Sequence, residues 1–99
     1  MALKELQNWV RRDWEKRSKN QPSVELQLLY IIEELGEVAE AIRKSNGSKD
    51  RKTNSVDLGS EIADLIISIV TLSNNFNVDI DKEIELFKER ILKRHQDGF

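Results

Sequence analysis

Residues 28–42 read LLYIIEELGEVAEAI, and the spacing of their apolar side chains predicts a long α-helix. Apolar residues recur every three or four positions, which places them along one helix face. One such stripe consists of Leu28, Ile32, Leu35, Ala39 and Ile42. A second consists of Leu29, Ile31, Val38 and Ala41. Because the helix is apolar around most of its circumference, we expect other helices to bury it.

The same stretch carries four glutamates near its middle, which is unusual for a buried helix. They are Glu33, Glu34, Glu37 and Glu40. Glu34 and Glu37 are three residues apart, so their carboxylates lie on one face. Like charges at this spacing cost a few tenths of a kcal/mol when exposed and far more when buried without partners.

A second stretch repeats the pattern. Residues 56–72 read VDLGSEIADLIISIVTL, with a core stripe of Leu58, Ile62, Leu65, Ile66, Ile69 and Leu72. A narrow polar line beside it consists of Glu61, Asp64, Ser68 and Thr71. Glu61 and Asp64 are again three residues apart. Antiparallel packing of the two helices would therefore bring together four carboxylates, those of Glu34, Glu37, Glu61 and Asp64.

The sequence as a whole predicts four helices in one domain, residues 1–99. We predict helices at residues 3–18, 24–44, 55–75 and 80–96, joined by short connections and one polar loop at residues 45–54. Pro22 interrupts the first helix, and Ser23 and Asp79 are candidate N-caps for the second and fourth. Asn77 is a turn residue. Short connections favour antiparallel neighbours, so the predicted fold is all-α, a four-helix antiparallel bundle assembled into a homo-oligomer.

The composition excludes several kinds of site. The 99 residues include no Cys, which rules out disulfides, thiol nucleophiles and thiolate metal sites. His95 is the only histidine, which disfavours a Ser-His-Asp triad, a zinc site with two imidazoles and a di-iron Glu-x-x-His bundle. Any metal chemistry must therefore use carboxylates.

Charge and hydropathy also limit the partners. A formal net charge of -2 argues against a strongly cationic nucleic-acid binder, and this weakens an RNA-binding role for the basic loop 45–54. The sequence has no signal-peptide run and no apolar stretch long enough for a membrane span. We therefore expect a cytoplasmic protein that binds neither nucleic acid nor membrane. A short chain that is 34% charged makes a marginal core, which favours self-association.

The four carboxylates lack basic partners within their own helices, because no Lys or Arg lies three or four residues from any of them. Packed together they repel unless a cation neutralises them, and hard oxygen ligands suit Mg²⁺ or Mn²⁺. The alternative is that these acids form ordinary solvated helix faces. The flanking apolar stripes leave little room for such faces, so we favour the metal site.

The segment from Glu33 to Glu40, EELGEVAE, followed by Glu61-Ile-Ala-Asp64, resembles the ExxE…ExxD pattern of the MazG family of all-α nucleoside triphosphate pyrophosphohydrolases. The resemblance implies that Glu34, Glu37, Glu61 and Asp64 bind Mg²⁺. It also implies cleavage between the α- and β-phosphates, giving a nucleoside monophosphate and pyrophosphate. Glu33 and Glu34 are then the candidate catalytic residues, with Glu33 positioning the attacking water. Glu40 is either a supporting residue or a surface acid.

The resemblance further implies contacts with the nucleotide. In the related dCTP-cleaving enzymes a tryptophan in the segment resembling residues 13–15 lies against the base, so Trp14 is a candidate base contact or else a core anchor. Ser68 is a candidate ligand contact, with bonding to its own helix as the alternative. Lys88 and Arg94 are candidate phosphate contacts, or else they complement the helix dipole. The chain departs from its relatives at Phe87 and Ile91, where they often have Lys and Asn.

Two functions follow from these expectations. The first is a homo-dimeric or homo-tetrameric enzyme that hydrolyses free nucleoside triphosphates in nucleotide-pool housecleaning. The second is a non-catalytic scaffold or regulatory module that binds nucleotide and metal, which the departure at Phe87 and Ile91 favours. The sequence leaves open the preferred base and sugar, the number of metal ions, and dimer versus tetramer.

Overall fold

Four helices account for most of the chain in a computed structural model that describes residues 2–17, 22–47 and 51–96. Side chains are described for residues 2–17, 22–44 and 58–96. The helices are α1 (Leu3–Arg17), α2 (Val24–Gly47), α3 (Arg51–Asn75) and α4 (Ile80–Gln96). Within these ranges no residue lies in a β-strand, so the all-α prediction is confirmed.

The predicted helix starts agree with the structure where a cap is present. The Leu26 amide donates to Ser23 Oγ at 3.2 Å, and the Lys82 amide donates to Asp79 Oδ1 at 3.2 Å. Each side chain satisfies a backbone donor that the first helical turn leaves free. Asn77 has φ 53°, the left-handed conformation that asparagine tolerates in turns. α4 accordingly has the predicted bounds.

The predicted loop at residues 45–54 is too long. α2 continues to Gly47 and α3 already begins at Arg51. A formed helix adds one hydrogen bond for each further residue that it fixes, and a single glycine costs only ~1 kcal/mol. Polar residues alone are therefore too weak to end a long helix where they first occur, and α2 continues as far as the glycine. The end predicted for the first helix, Ser18, lies outside the described residues.

α2 and α3 form an antiparallel pair, as predicted. The side-chain Nδ2 of Asn75, at the end of α3, donates to Gln27 Oε1, near the start of α2, at 2.6 Å. The middle of each helix brings Glu34 close to Asp64. Ala41 and Val70 are among the side chains that this pairing buries. The pairing of α2 and α3 thus fixes the acidic residues of one helix relative to those of the other.

A buried glutamine ties α1 to the turn between α3 and α4. Gln7 is 5% exposed, and its Nε2 donates to Val78 O at 2.7 Å and Asn74 Oδ1 at 3.1 Å. Its Oε1 accepts from the Ile80 amide at 3.2 Å. Asn74 Nδ2 donates back to the Gln7 carbonyl at 3.0 Å. Every polar atom of the Gln7 side chain therefore has a partner, and those partners set the direction of α4.

Gln7→Ala is expected to lower the free energy of unfolding by about 2–3 kcal/mol, because it leaves several partly buried groups without partners. Urea denaturation followed by circular dichroism measures the loss. Asn8→Ala is the matched control, since Asn8 is exposed on the same turn and should cost no more than ~0.5 kcal/mol. Equal effects of the two substitutions would contradict this role of Gln7.

The apolar stripe of α2 is exposed, although we expected burial. Leu28, Ile32 and Leu35 are 51–57% exposed, and Ile62, Ile66 and Ile69 of α3 are also exposed. The accessible surface is 7802 Å², whereas a compact chain of this mass has about 5,800 Å². The radius of gyration is 16.9 Å against roughly 12.6 Å for a compact chain of this length. Among the described residues, α1 packs on α3 and α4 packs on α1, so the four helices do not close a bundle around the α2–α3 pair.

None of the described helices combines the length and the apolar character needed to cross a bilayer.

Candidate metal centre

Three carboxylates from the α2–α3 pair converge on one point. Oxygen atoms of Glu34, Glu61 and Asp64 all lie within 4.8 Å of one another. Helical spacing places Glu61 and Asp64 one turn apart on the same face of α3, and the antiparallel register sets Glu34 opposite them. The arrangement follows directly from the two acidic pairs in the sequence.

The carboxylate of Glu37 lies beside this group, next to Glu61. Its interaction with Glu61 is the largest cause that raises the pKa of Glu61 to about 7, followed by burial and by the charges of Glu37, Glu34 and Asp64. For Glu34 the main cause of the raised pKa is burial, ahead of the charges of Glu37 and Asp64.

Two oxygens in this cluster are buried without a hydrogen-bond partner among the described residues. They are Glu34 Oε2 and Glu61 Oε2. A buried acceptor without a partner costs about 1–3 kcal/mol, and more when the group is charged. A hard divalent cation would satisfy both oxygens and reverse the mutual repulsion that raises these pKa values. The donor set therefore fits a cation such as Mg²⁺ or Mn²⁺.

Glu33 and Glu40, the remaining two of the four glutamates in residues 28–42, lie outside the cluster. Glu33 is exposed, and its negative charge contributes to the raised pKa of Glu34. Glu40 pairs with Arg43, whose Nε lies 3.1 Å from Glu40 Oε2. That hydrogen bond is the main reason why the pKa of Glu40 is lowered. Glu40 thus behaves as an ordinary ion-paired surface acid.

A cleft opens on the same α2–α3 groove, and its space, partly open to solvent, is about 410 Å³. Its lining consists of Trp14, Arg17, Pro22, Gln27, Tyr30, Ile67, Ser68 and Thr71. Gln27 precedes Glu34 by seven residues and Thr71 follows Asp64 by seven, so the cleft lies about 10 Å along the helices from the carboxylates. The predicted ligand contacts Trp14 and Ser68 therefore share one cleft.

Trp14 is half-buried at the edge of this cleft. Its Nε1 lies 3.5 Å from Thr71 Oγ1, at the limit of a hydrogen bond, and Thr71 donates to the Ile67 carbonyl at 2.8 Å. The Arg17 guanidinium lies 5.1 Å from the centre of the indole ring. Its Nε donates to Asp13 Oδ2 at 2.7 Å. Thr71 thus hydrogen-bonds to the backbone of its own helix.

The predictions from sequence missed Gln27 and Tyr30. Both lie on the face of α2 that carries Glu34, at seven and four residues before it, and this spacing was a usable signal. Gln27 is 3% exposed, and its Nε2 donates to the Pro22 carbonyl at 2.9 Å. An amide fixed in this way shapes the wall of the cleft.

The two basic candidates on α4, Lys88 and Arg94, lie on the exposed surface of that helix, away from the acidic cluster. Lys88 Nζ pairs with Glu85 Oε1 at 3.1 Å on the exposed surface of α4, and Arg94 is exposed in its last turn. Phe87 is 55% exposed, and Ile91 is half-buried on the same helix.

Comparisons with known proteins show which family the chain belongs to. The chain is similar to the uncharacterized protein YvdC of Bacillus subtilis (strain 168), with 24% identity over 104 residues, covering 97% of this chain and 98% of the relative. No solved structure matched the chain. The family model for the MazG nucleotide pyrophosphohydrolase domain matches residues 22–99, which include α2, α3, α4 and all four clustered carboxylates. The chain therefore belongs to the MazG nucleotide pyrophosphohydrolase family.

Proposed function

We propose that this protein is a magnesium-dependent hydrolase that converts a nucleoside triphosphate and water into a nucleoside monophosphate and pyrophosphate. The observation that carries the proposal is the convergence of Glu34, Glu61 and Asp64 within 4.8 Å, with two buried oxygens that have no partner in the described part of the chain. Mn²⁺ is the alternative cation, because it accepts the same oxygen ligands.

The four clustered carboxylates, those of Glu34, Glu37, Glu61 and Asp64, would hold the cation. When bound, the cation supplies positive charge that binds the phosphate oxygens and offsets the charge that develops on them. Glu33 lies beside the cluster and is exposed, so its carboxylate is free to accept a hydrogen bond from the attacking water and orient it. Glu34, next to Glu33 in the sequence, would take part in catalysis as a ligand of the cation.

We place the base in the cleft and the phosphates at the carboxylates. The aromatic face of Trp14 would stack on the base, and the Ser68 hydroxyl lies in the lining between Trp14 and the acids. The distance of about 10 Å along the groove leaves room for the sugar. Lys88 and Arg94 are proposed phosphate contacts, which requires α4 of another copy to approach the cluster.

Trp14→Leu is expected to raise KM for the nucleotide about tenfold, because stacking contributes ~1–3 kcal/mol per base. Trp14→Phe should retain most of the affinity. Trp9→Leu is the matched control, since Trp9 is 51% exposed on α1 and is not part of the cleft lining. Steady-state kinetics measure all three variants. An unchanged KM in Trp14→Leu would remove Trp14 from the base site.

The working unit in this proposal is a homo-dimer or homo-tetramer of single-domain subunits. The exposed stripe of Leu28, Ile32 and Leu35 supports it, because a contiguous apolar surface of this kind marks an interaction site. A cytoplasmic location and a housecleaning role on the free nucleotide pool complete the proposal.

A non-catalytic scaffold that binds nucleotide and metal is the second candidate. Phe87 and Ile91 favour it, since apolar side chains stand where relatives often have Lys and Asn for phosphate and sugar.

A substrate panel separates these functions. The full-length protein is incubated with Mg²⁺ and each common ribo- and deoxyribonucleoside triphosphate, and pyrophosphate and orthophosphate are measured separately. Pyrophosphate release from at least one nucleotide supports the enzyme. Nucleotide binding without release from any of them supports the scaffold.

A further inference from the structure

α4 carries an apolar seam that its own chain leaves largely uncovered. Ile80, Ile84, Phe87 and Ile91 are spaced by four, three and four residues, which is the repeat of a coiled-coil seam. Ile84 is 38% exposed and Phe87 is 55% exposed. Leu92, beside the end of the seam, is 62% exposed. Ile80 and Ile91 are half-buried, so Ile84 and Phe87 at the centre of the seam form most of its exposed apolar surface.

The polar contacts that anchor α4 involve its first turn. The Ile80 amide donates to Gln7 Oε1 at 3.2 Å, and the Lys4 amide donates to Asp81 Oδ2 at 3.0 Å. From Phe87 to Gln96 the side chains are exposed, apart from half-buried Ile91. The second half of the helix thus extends away from its anchor, where a partner can reach it.

The two halves of α4 have opposite charge. Residues 79–87 contain four acids and one base, a net charge of -3, whereas residues 88–96 contain four bases and one acid, a net charge of +3. A second copy that runs antiparallel places each acidic half against a basic half. A parallel copy places like halves together. The charge pattern therefore selects the antiparallel orientation.

We propose that α4 pairs antiparallel with α4 of a second copy of this chain about a two-fold axis. Ile84 then packs on Phe87 of the second copy, and Ile80 packs on Ile91 of the second copy, which gives four apolar layers by symmetry. Glu83 and Arg90 flank the seam on one side, and each faces the other across the axis. Within one helix they are seven residues apart, about 10 Å, so they cannot pair in their own chain.

The exposed surface of the chain is large enough for this contact and for a second contact between copies on α2 and α3. The chain exposes about 2,000 Å² more than a compact chain of its mass, while a standard interface buries about 800 Å² on each partner. On the other flank of the seam, Asp81 faces Lys88 of the second copy, so the pairing competes with the phosphate contact proposed for Lys88. The inference itself does not rest on the proposed hydrolysis.

A charge-reversal series tests the pairing in the full-length protein by sedimentation at several concentrations. Glu83→Arg and Arg90→Glu should each weaken self-association at least about tenfold, because each places two like-charged pairs across the axis. The double variant should restore association to within about threefold, since its reversed pairs are again complementary. Glu89→Arg, on the side of α4 opposite the seam, is the matched control and should leave association unchanged.

Only a contact between copies explains rescue by the double variant. A wild-type monomer, unaltered association in both single variants, or no recovery in the double variant would overturn the inference. Pyrophosphate release measured on the same samples keeps this result separate from the proposed activity.

Engineered cysteines test the orientation directly, because the chain has no cysteine of its own. Ile80→Cys and Ile91→Cys chains, mixed and oxidised, should form a disulfide between positions 80 and 91 of different chains. Each variant alone should remain unlinked. In the antiparallel register the same residue of the two chains is about 16 Å apart, which is beyond the reach of a disulfide. Efficient disulfides between equal positions, or no disulfide in the mixture, would overturn the antiparallel pairing.

Discussion

Glu61→Gln is expected to abolish pyrophosphate release, lowering kcat/KM by at least ~10³-fold. Glu61 has a buried Oε2 without a hydrogen-bond partner among the described residues, and it lies within 4.8 Å of both Glu34 and Asp64. The neutral amide keeps the size of the side chain and removes one negative ligand. Loss of a bound cation at the phosphates removes several kcal/mol of transition-state stabilisation, and each 1.36 kcal/mol is a factor of about ten.

Glu40→Gln is the matched control for this loss. It makes the same chemical change on the same bundle surface, but Glu40 is paired with Arg43 instead of facing the cluster. We expect its activity to stay within about threefold of wild type. Removing a charge from Glu61 relieves repulsion, so Glu61→Gln should be at least as stable as wild type in EDTA, and unfolding cannot account for its inactivity. Full activity in Glu61→Gln would exclude the cluster as the metal centre.

The second large effect is the response of stability to pH and Mg²⁺. The neighbouring Glu37 carboxylate and burial raise the pKa of Glu61 to about 7 from its ordinary value of 4.5. Between these values the folded chain binds more protons than the unfolded chain, so stability falls as pH rises. In EDTA the Tm should therefore decrease from pH 5 to pH 8. Saturating Mg²⁺ should raise it by at least ~5 °C at pH 8 and by much less at pH 5.

Thermal unfolding at several pH values, with EDTA or with Mg²⁺, measures this response. In Glu61→Gln the decrease of Tm between pH 5 and pH 8 should flatten, and the Mg²⁺ shift at pH 8 should shrink. Glu40→Gln should keep both, because the pKa of Glu40 is shifted in the opposite direction by Arg43. A wild-type Tm that rises through this range in EDTA, or an equal Mg²⁺ shift at both pH values, would contradict the account of the cluster.

The acidic cluster was predictable because helix spacing and antiparallel register are sufficient to define it. Glu34 lies on one face of α2, Glu61 and Asp64 share a face of α3, and a hairpin of two helices leaves little freedom in how these faces meet. The raised pKa of Glu61 was not predictable, since it depends on how closely Glu37 approaches it and on its burial.

Other features needed the structure because local sequence is ambiguous about them. The spacing of Tyr30 from Glu34 fits a core residue as well as a cleft residue, and the structure shows that it lines the cleft. The periodicity of Leu28 and Ile32 indicates an apolar face but not which chain covers it, so the expectation of burial failed within one chain. By contrast, α4 starts at the predicted residue because Asp79 caps it.

The most direct test of the central claim is hydrolysis of the preferred nucleoside triphosphate in ¹⁸O-labelled water with Mg²⁺, followed by mass spectrometry of the products. The cluster on α2 and α3, with the base in the cleft about 10 Å away, predicts attack at the α-phosphorus. The label should therefore appear in the nucleoside monophosphate, with unlabelled pyrophosphate as the other product. Label in orthophosphate together with a nucleoside diphosphate, or no turnover of any nucleotide, would contradict the account.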